Sequence, residues 1–120
     1  MGNPLDVQVG GNHYKKYEYQ PIEFINDLGL GFIQGNIIKY IVRHNDKNGI
    51  QDIDKAIHYC ELAINLESVA ILRPTQLNNA TKFIFQFEDD FIKQCISNVL
   101  VGDWELIIKM CKKQYVNNRK

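Results

Sequence analysis

The sequence predicts an all-α protein, a small helical bundle with a central helical hairpin and a C-terminal helical tail. Apolar residues recur at helical spacing, most clearly Ile53, Ile57, Cys60 and Ile64 at +4, +3 and +4. Glycine and proline punctuation falls between those stretches: Gly29 and Gly31, Asn48-Gly49, Pro74, and Gly102-Asp103. No alternating strand of convincing length is present; "KFIFQF" alternates weakly and is the one candidate exception. A chain of 120 residues is one domain's worth, with length for a single modest core.

Residues 1–12, "MGNPLDVQVGGN", are poor in large apolar groups and read as an arm or loop. Pro21 suits a first helical position, and Ile22, Ile25 and Leu28 supply a buried face before Gly29 and Gly31 end the helix. A second helix is expected from about Phe32 to His44, followed by the turn "HNDKNG". The third and clearest runs from about Ile50 to Ser68, with Asp52, Lys55, His58 and Glu61 off its apolar seam. Pro74 marks a break. Beyond it we expect a short helix near Lys82–Phe87, another over Asp89–Val101, and a last one over Trp104–Tyr115. Gly102-Asp103 supplies a stop and then a cap. Trp104, Ile107, Ile108, Cys111 and Tyr115 form the apolar stripe of the last helix. Residues 1–72 are thus a loop plus three helices that carry the motifs. Residues 73–120 form a helical hairpin or tail, in the same domain or as an oligomerisation element.

Composition is ordinary for a globular protein, with 45% hydrophobic and 23% charged residues. Formal charge is zero, but residues 1–72 hold six Lys/Arg against nine Asp/Glu, and residues 73–120 hold eight against five. That asymmetry is too mild for nucleic acid as the main partner. The cluster Lys109, Lys112, Lys113, Arg119 and Lys120 reads as a solvated helix end. Cys60, Cys95 and Cys111 are odd in number, far apart and in apolar registers, so reduced core thiols are expected. With no signal pattern and no apolar run of spanning length, no membrane is expected and the cytosol is the default location.

The stretch "GNIIKYIVRH", Gly35 to His44, is the most informative. Asn36, Lys39, Tyr40 and Arg43 stand at i, i+3, i+4 and i+7, one stripe of a helix. Gly35 inside a helix costs about 1 kcal/mol relative to Ala. Either Asn36 caps a helix start whose N–H groups face a phosphate, or Gly35 lets another helix approach while Asn36 caps. Lys39 and Arg43 on adjacent turns repel unless an anion or an acid lies between them. Asp52 and Lys55, one short turn away, are natural neighbours. Asp52 would fix the hairpin by an ion pair to Arg43, or orient Arg43 toward a ligand phosphate, and the two roles are compatible. "GGNHYKK" is the second concentration of reactive types: Asn12, His13 and Tyr14 follow a Gly-Gly loop that can bring backbone close to a ligand.

Several chemistries lack their residues. His13, His44 and His58 fit no zinc-ligand spacing, and Asp52 and Asp54 diverge by about 200° on a helix, so no metal site is expected. Glu88, Asp89 and Asp90 suit the start of the following helix. There is no G-x-x-x-x-G-K-[ST] loop and no Ser/His/Asp order.

Taken in order, "NHYKK", "QPIEFI", "GNIIKYIVRH" and "K-x-G-x-x-D-x-x-KA-x-x-Y" resemble a family of small bacteriophage proteins long catalogued as a domain of unknown function. Its enzymatic relative is the nucleotide kinase of the short-tailed T-odd coliphages. The resemblance covers roughly Asn12 to Leu66, and is weak over residues 73–120. It implies a protein of the host cytoplasm that takes a deoxynucleoside monophosphate as substrate and a nucleoside triphosphate as donor, and that forms homo-oligomers. The motif positions carried over are Asn12, His13, Tyr14, Gly35, Asn36, Lys39, Tyr40, Arg43, Lys47, Asp52, Lys55 and Tyr59.

Phosphoryl transfer needs in-line positioning and neutralised charge. Lys39 and Arg43 would neutralise, Asn12 and Asn36 would hold oxygens, Tyr14 or Tyr40 would lie against the base, and His13 would orient or deprotonate the acceptor. Lys47, Asp52, Lys55 and Tyr59 complete the expected substrate contacts. A helical nucleotide pyrophosphohydrolase would need clustered acids, and only isolated ones occur. The alternative from another class is a non-catalytic nucleotide binder, or an inhibitor that docks on a host enzyme or defence protein.

Overall fold

The computed structural model describes residues 3–6, 16–46 and 49–119, with residues 115–119 described by their helical backbone. Six α-helices account for most of them: α1 (Pro21–Leu28), α2 (Phe32–Arg43), α3 (Gly49–Asn65), α4 (Leu77–Phe85), α5 (Asp90–Val101) and α6 (Trp104–Arg119). The described residues contain no strand, so the weakly alternating "KFIFQF" is the end of α4 and its exit.

Three helices end in the same way. Gly29, Glu67 and Gly102 take left-handed backbone at φ +61°, +55° and +74°. After each helix, the N–H of the left-handed residue bonds three residues back and the next N–H bonds five residues back: Leu30 to Ile25, Ser68 to Ala63, and Asp103 to Asn98. Those bonds satisfy carbonyls that a helix end leaves without partners. Glu67 does this without being glycine, and α3 therefore stops at Asn65 instead of the expected Ser68. At the opposite kind of terminus, Asp89 caps α5 by accepting from the Phe91 and Ile92 N–H groups at 2.8 and 3.4 Å.

Three other expectations are corrected. The fourth helix begins at Leu77 and ends at Phe85, not Lys82–Phe87. Pro74 does not simply break the chain; it opens a 3-10 turn, Pro74–Gln76, that leads straight into α4. The buried face of α1 is Pro21, Phe24 and Leu28, whereas Ile22 is 64% exposed. Phe24 sets that orientation by stacking on Phe83 of α4 at 4.1 Å, with Tyr19 edge-on to both rings. Ile22 lies about 200° round the helix from Phe24 and so faces solvent.

Helices α2, α3, α6 and α5 contact one another in a closed ring, α2 against α3, α3 against α6, α6 against α5, and α5 against α2. That is a four-helix bundle, with α1 and α4 paired beside it, α1 touching α2 and α4 touching α5. Ile37, Ile41, Ile53, Cys60, Ile96, Val99, Ile107 and Cys111 fill its centre in one continuous core. The three cysteines are free and buried on three different helices. Burial pushes the Cys60 thiol up to about 12. A hydrogen bond with Cys111, and then burial, raises Cys95 still further.

Candidate functional site

The α2–α3 hairpin brings two stripes face to face. From α2 come Lys39, Tyr40 and Arg43, and from α3 come Asp52, Lys55 and Tyr59. The inward sides of the same helices carry Ile37, Ile38, Ile41, Ile53 and Ala56 into the core, which fixes how far each helix can rotate. Gly35 is buried, and a Cβ there would meet the Ile25 side chain of α1 at 3.3 Å. The glycine therefore permits close approach of α1 to α2.

Tyr40 is the centre of the arrangement. Lys39 Nζ and Arg43 Cζ each lie 4.9 Å from its ring centroid, and Lys55 Nζ lies 5.2 Å from it. Three cations drawn from two helices thus gather around one aromatic ring. Arg43 Nε and Nη2 both donate to Asp52 Oδ1, at 3.2 and 3.1 Å. The Arg43 side chain is 15% exposed and that of Asp52 is fully buried. The ion pair expected between Asp52 and Arg43 is therefore present, and it orients the guanidinium.

Aromatic rings continue from Tyr40 along the hairpin. Tyr59 stacks on Tyr40 with centroids 6.0 Å apart and planes 18° apart. Phe32, at the first turn of α2, meets Tyr59 edge-on at 5.9 Å. The His58 ring lies 6.3 Å from that of Tyr59, tilted by 60°.

Of the residues singled out from the sequence, Lys39, Tyr40, Arg43, Asp52, Lys55 and Tyr59 come together here. Asn12, His13, Tyr14 and Lys47 lie outside the described residues. Asn36 is corrected. It sits inside α2 and not at its start, and its Nδ2 donates to the Phe32 carbonyl one turn back at 2.8 Å. Gly31 precedes the first turn instead, because Phe32 to Gln34 already have helical backbone. No capped N-terminus therefore points at the Lys39–Arg43 stripe.

The chain entering α1 is tied to the same end of the hairpin. Lys16 Nζ pairs with Asp46 at 2.7 Å in the turn after α2, and that hydrogen bond holds the ammonium above its ordinary pKa. Tyr17 packs on Phe87 at 5.1 Å, and Gln86 clamps the Tyr19 backbone by donating to its carbonyl and accepting from its N–H. His44, directly after Arg43, turns inward. Its Nδ1 donates to the Ile41 carbonyl and its ring meets Phe91 edge-on at 5.3 Å. Among the described residues no group of His, Cys, Asp and Glu is arranged to hold a metal ion, and no helix is long and apolar enough to cross a membrane.

Sequence reasoning missed Phe32. Its signal was present: it stands four residues before Asn36 and so extends the same helical stripe by one turn.

Residues 9–61 match the model of a family described as a protein of unknown function, DUF3310. The matched segment contains every residue of the hairpin site and ends before α4. No curated protein and no solved structure matches the chain.

Proposed function

We propose that this protein binds (deoxy)nucleotides on the α2–α3 hairpin, with the phosphate held by Lys39, Arg43 and Lys55. The single observation that supports the reading is the convergence of those three cations on the Tyr40 ring. A phosphate placed among them would accept charge-assisted hydrogen bonds from two ammonium groups and a guanidinium, the chemistry that favours Arg and Lys at phosphate sites. Asp52 would hold the guanidinium in place without contacting the ligand.

The resemblance to small phage proteins extends the proposal to chemistry. The reaction would be transfer of a phosphoryl group from a nucleoside triphosphate to a nucleoside monophosphate, without a P-loop, in an infected host's cytoplasm and by a homo-oligomer. Cationic side chains that neutralise the transferring group are the main requirement of such a step.

The test is incubation of the protein with deoxynucleoside monophosphates and a triphosphate donor, with products read by mass spectrometry. Appearance of diphosphates that grows with time is the expected result. Stoichiometric depletion of free nucleotide with no product would leave binding and remove catalysis, in favour of a nucleotide sponge. No depletion and no product would overturn the proposal.

A further inference from the structure

An aromatic ring that stays in water needs contacts to distinguish it from ordinary surface, since single exposed apolar residues are common. Phe32 is 75% exposed and Phe85 is 71% exposed. Their surroundings differ. Phe85 has Lys93 Nζ 5.7 Å from its ring centroid. Phe32 is the outer member of a ring series that passes through Tyr59 to Tyr40 and ends among Lys39, Arg43 and Lys55. Phe32 and Tyr40 are eight residues apart on one helix, about 12 Å along its axis. The hairpin therefore offers a flat apolar surface at one end and concentrated positive charge at the other, joined by the Tyr59 ring.

We infer that Phe32, with Tyr59 at its edge, is the platform on which the base of the nucleotide stacks, and that it makes the site selective for phosphates that carry an aromatic base. This rests on the nucleotide-binding reading and adds the specificity-determining residue to it. A base seated on Phe32 puts the sugar over Tyr59 and sends the phosphates along the helix toward Tyr40. That span suits a nucleoside di- or triphosphate better than a monophosphate, whose one phosphate is a single sugar away from its base. Stacking of a base on an aromatic side chain tolerates any base, because every base presents a π-face.

The experiment compares dATP with inorganic tripolyphosphate, a similar polyanion without base or sugar, by calorimetry on the wild-type protein, Phe32→Ala and Phe32→Trp. Wild-type protein should bind dATP at least about fivefold more tightly than tripolyphosphate, the low end of what base stacking contributes. Phe32→Ala should abolish most of that preference and leave tripolyphosphate binding unchanged, while Phe32→Trp retains it. The exposure of Phe32 keeps these substitutions away from the core, and a thermal melt checks that both variants fold.

Equal binding of dATP and tripolyphosphate by wild-type protein would overturn the inference and leave the phosphate site standing. So would an undiminished preference in Phe32→Ala. If sedimentation shows Phe32→Ala losing an oligomer while dATP binding is unaltered, Phe32 belongs to an interface and the inference fails. Wild-type protein that binds neither ligand would remove the nucleotide reading itself, and this inference with it.

Discussion

Asp52 has no exposure to solvent and accepts two hydrogen bonds from Arg43 at one oxygen. A buried carboxylate that loses two such hydrogen bonds is left with less to offset its charge. Arg43→Ala should therefore lower unfolding free energy by about 3–5 kcal/mol in denaturant titration. Asp52→Ala should also be destabilising, and the double variant should lose less than the sum of the two. Additive losses would show that the pair does not act as a unit. Lys39 and Lys55 are half-exposed, so ion pairs they make are screened by water. Lys39→Ala and Lys55→Ala should each stay within about 0.5 kcal/mol of wild-type stability. The contrast separates a residue that holds the hairpin together from two half-exposed lysines at the site.

Two buried or half-buried glycines test the helix junctions, with opposite outcomes. At Gly102 the backbone has φ +74°, and a Cβ would stand 3.2 Å from the Ala70 backbone nitrogen. Neither the left-handed strain nor a backbone neighbour can relax, so Gly102→Ala should cost about 2 kcal/mol or more. Gly35 has helical backbone, and its nearest neighbour would be the Ile25 side chain at 3.3 Å. A gain of about 1 kcal/mol in helix propensity offsets that crowding, so Gly35→Ala should lie within about 1 kcal/mol of wild type. Gly35→Val should be clearly destabilising in the same denaturant titrations.

The elements show why parts of this fold were legible and others were not. Helices with a glycine or Asx signal at their ends, α1, α2 and α5, start and stop within a residue of expectation. The C-terminus of α3 was missed because Glu67 fills a position where glycine is the usual sign, and the start of α4 because Pro74 was read as a break. The site residues on α2 and α3 were legible as stripes. Asn36 was not, because helix register alone does not reveal that its amide bonds to its own preceding turn. Phe32 was missed because an aromatic in an apolar sequence reads as core until burial is known.

The whole molecule is one bundle whose centre holds three buried thiols and whose edge buries Tyr19 and half-buries Tyr17. Cys60, Cys95, Tyr17 and Tyr19 all have their pKa values raised, Cys60 and both tyrosines mainly by burial and Cys95 mainly by its hydrogen bond to Cys111. Each resists ionisation in the folded state. Its stabilisation is full below the unfolded value, 9.0 for Cys60, and is lost as pH rises toward the folded value of about 12. These groups should leave unfolding free energy unaffected below about pH 9 and make it fall between about pH 9 and 12. A maximum above pH 10 would contradict this. The same burial should keep all three thiols unreactive toward a thiol reagent at neutral pH until the protein is denatured.

The cations around Tyr40 carry the central claim, and calorimetric titration of dATP into wild-type protein, Lys39→Ala and Lys55→Ala tests it most directly. Each substitution should weaken binding by about 1.5–3 kcal/mol, the range for hydrogen bonds to charged groups, with the melting temperature nearly unchanged. Undiminished affinity in both folded variants would contradict a phosphate site on this hairpin.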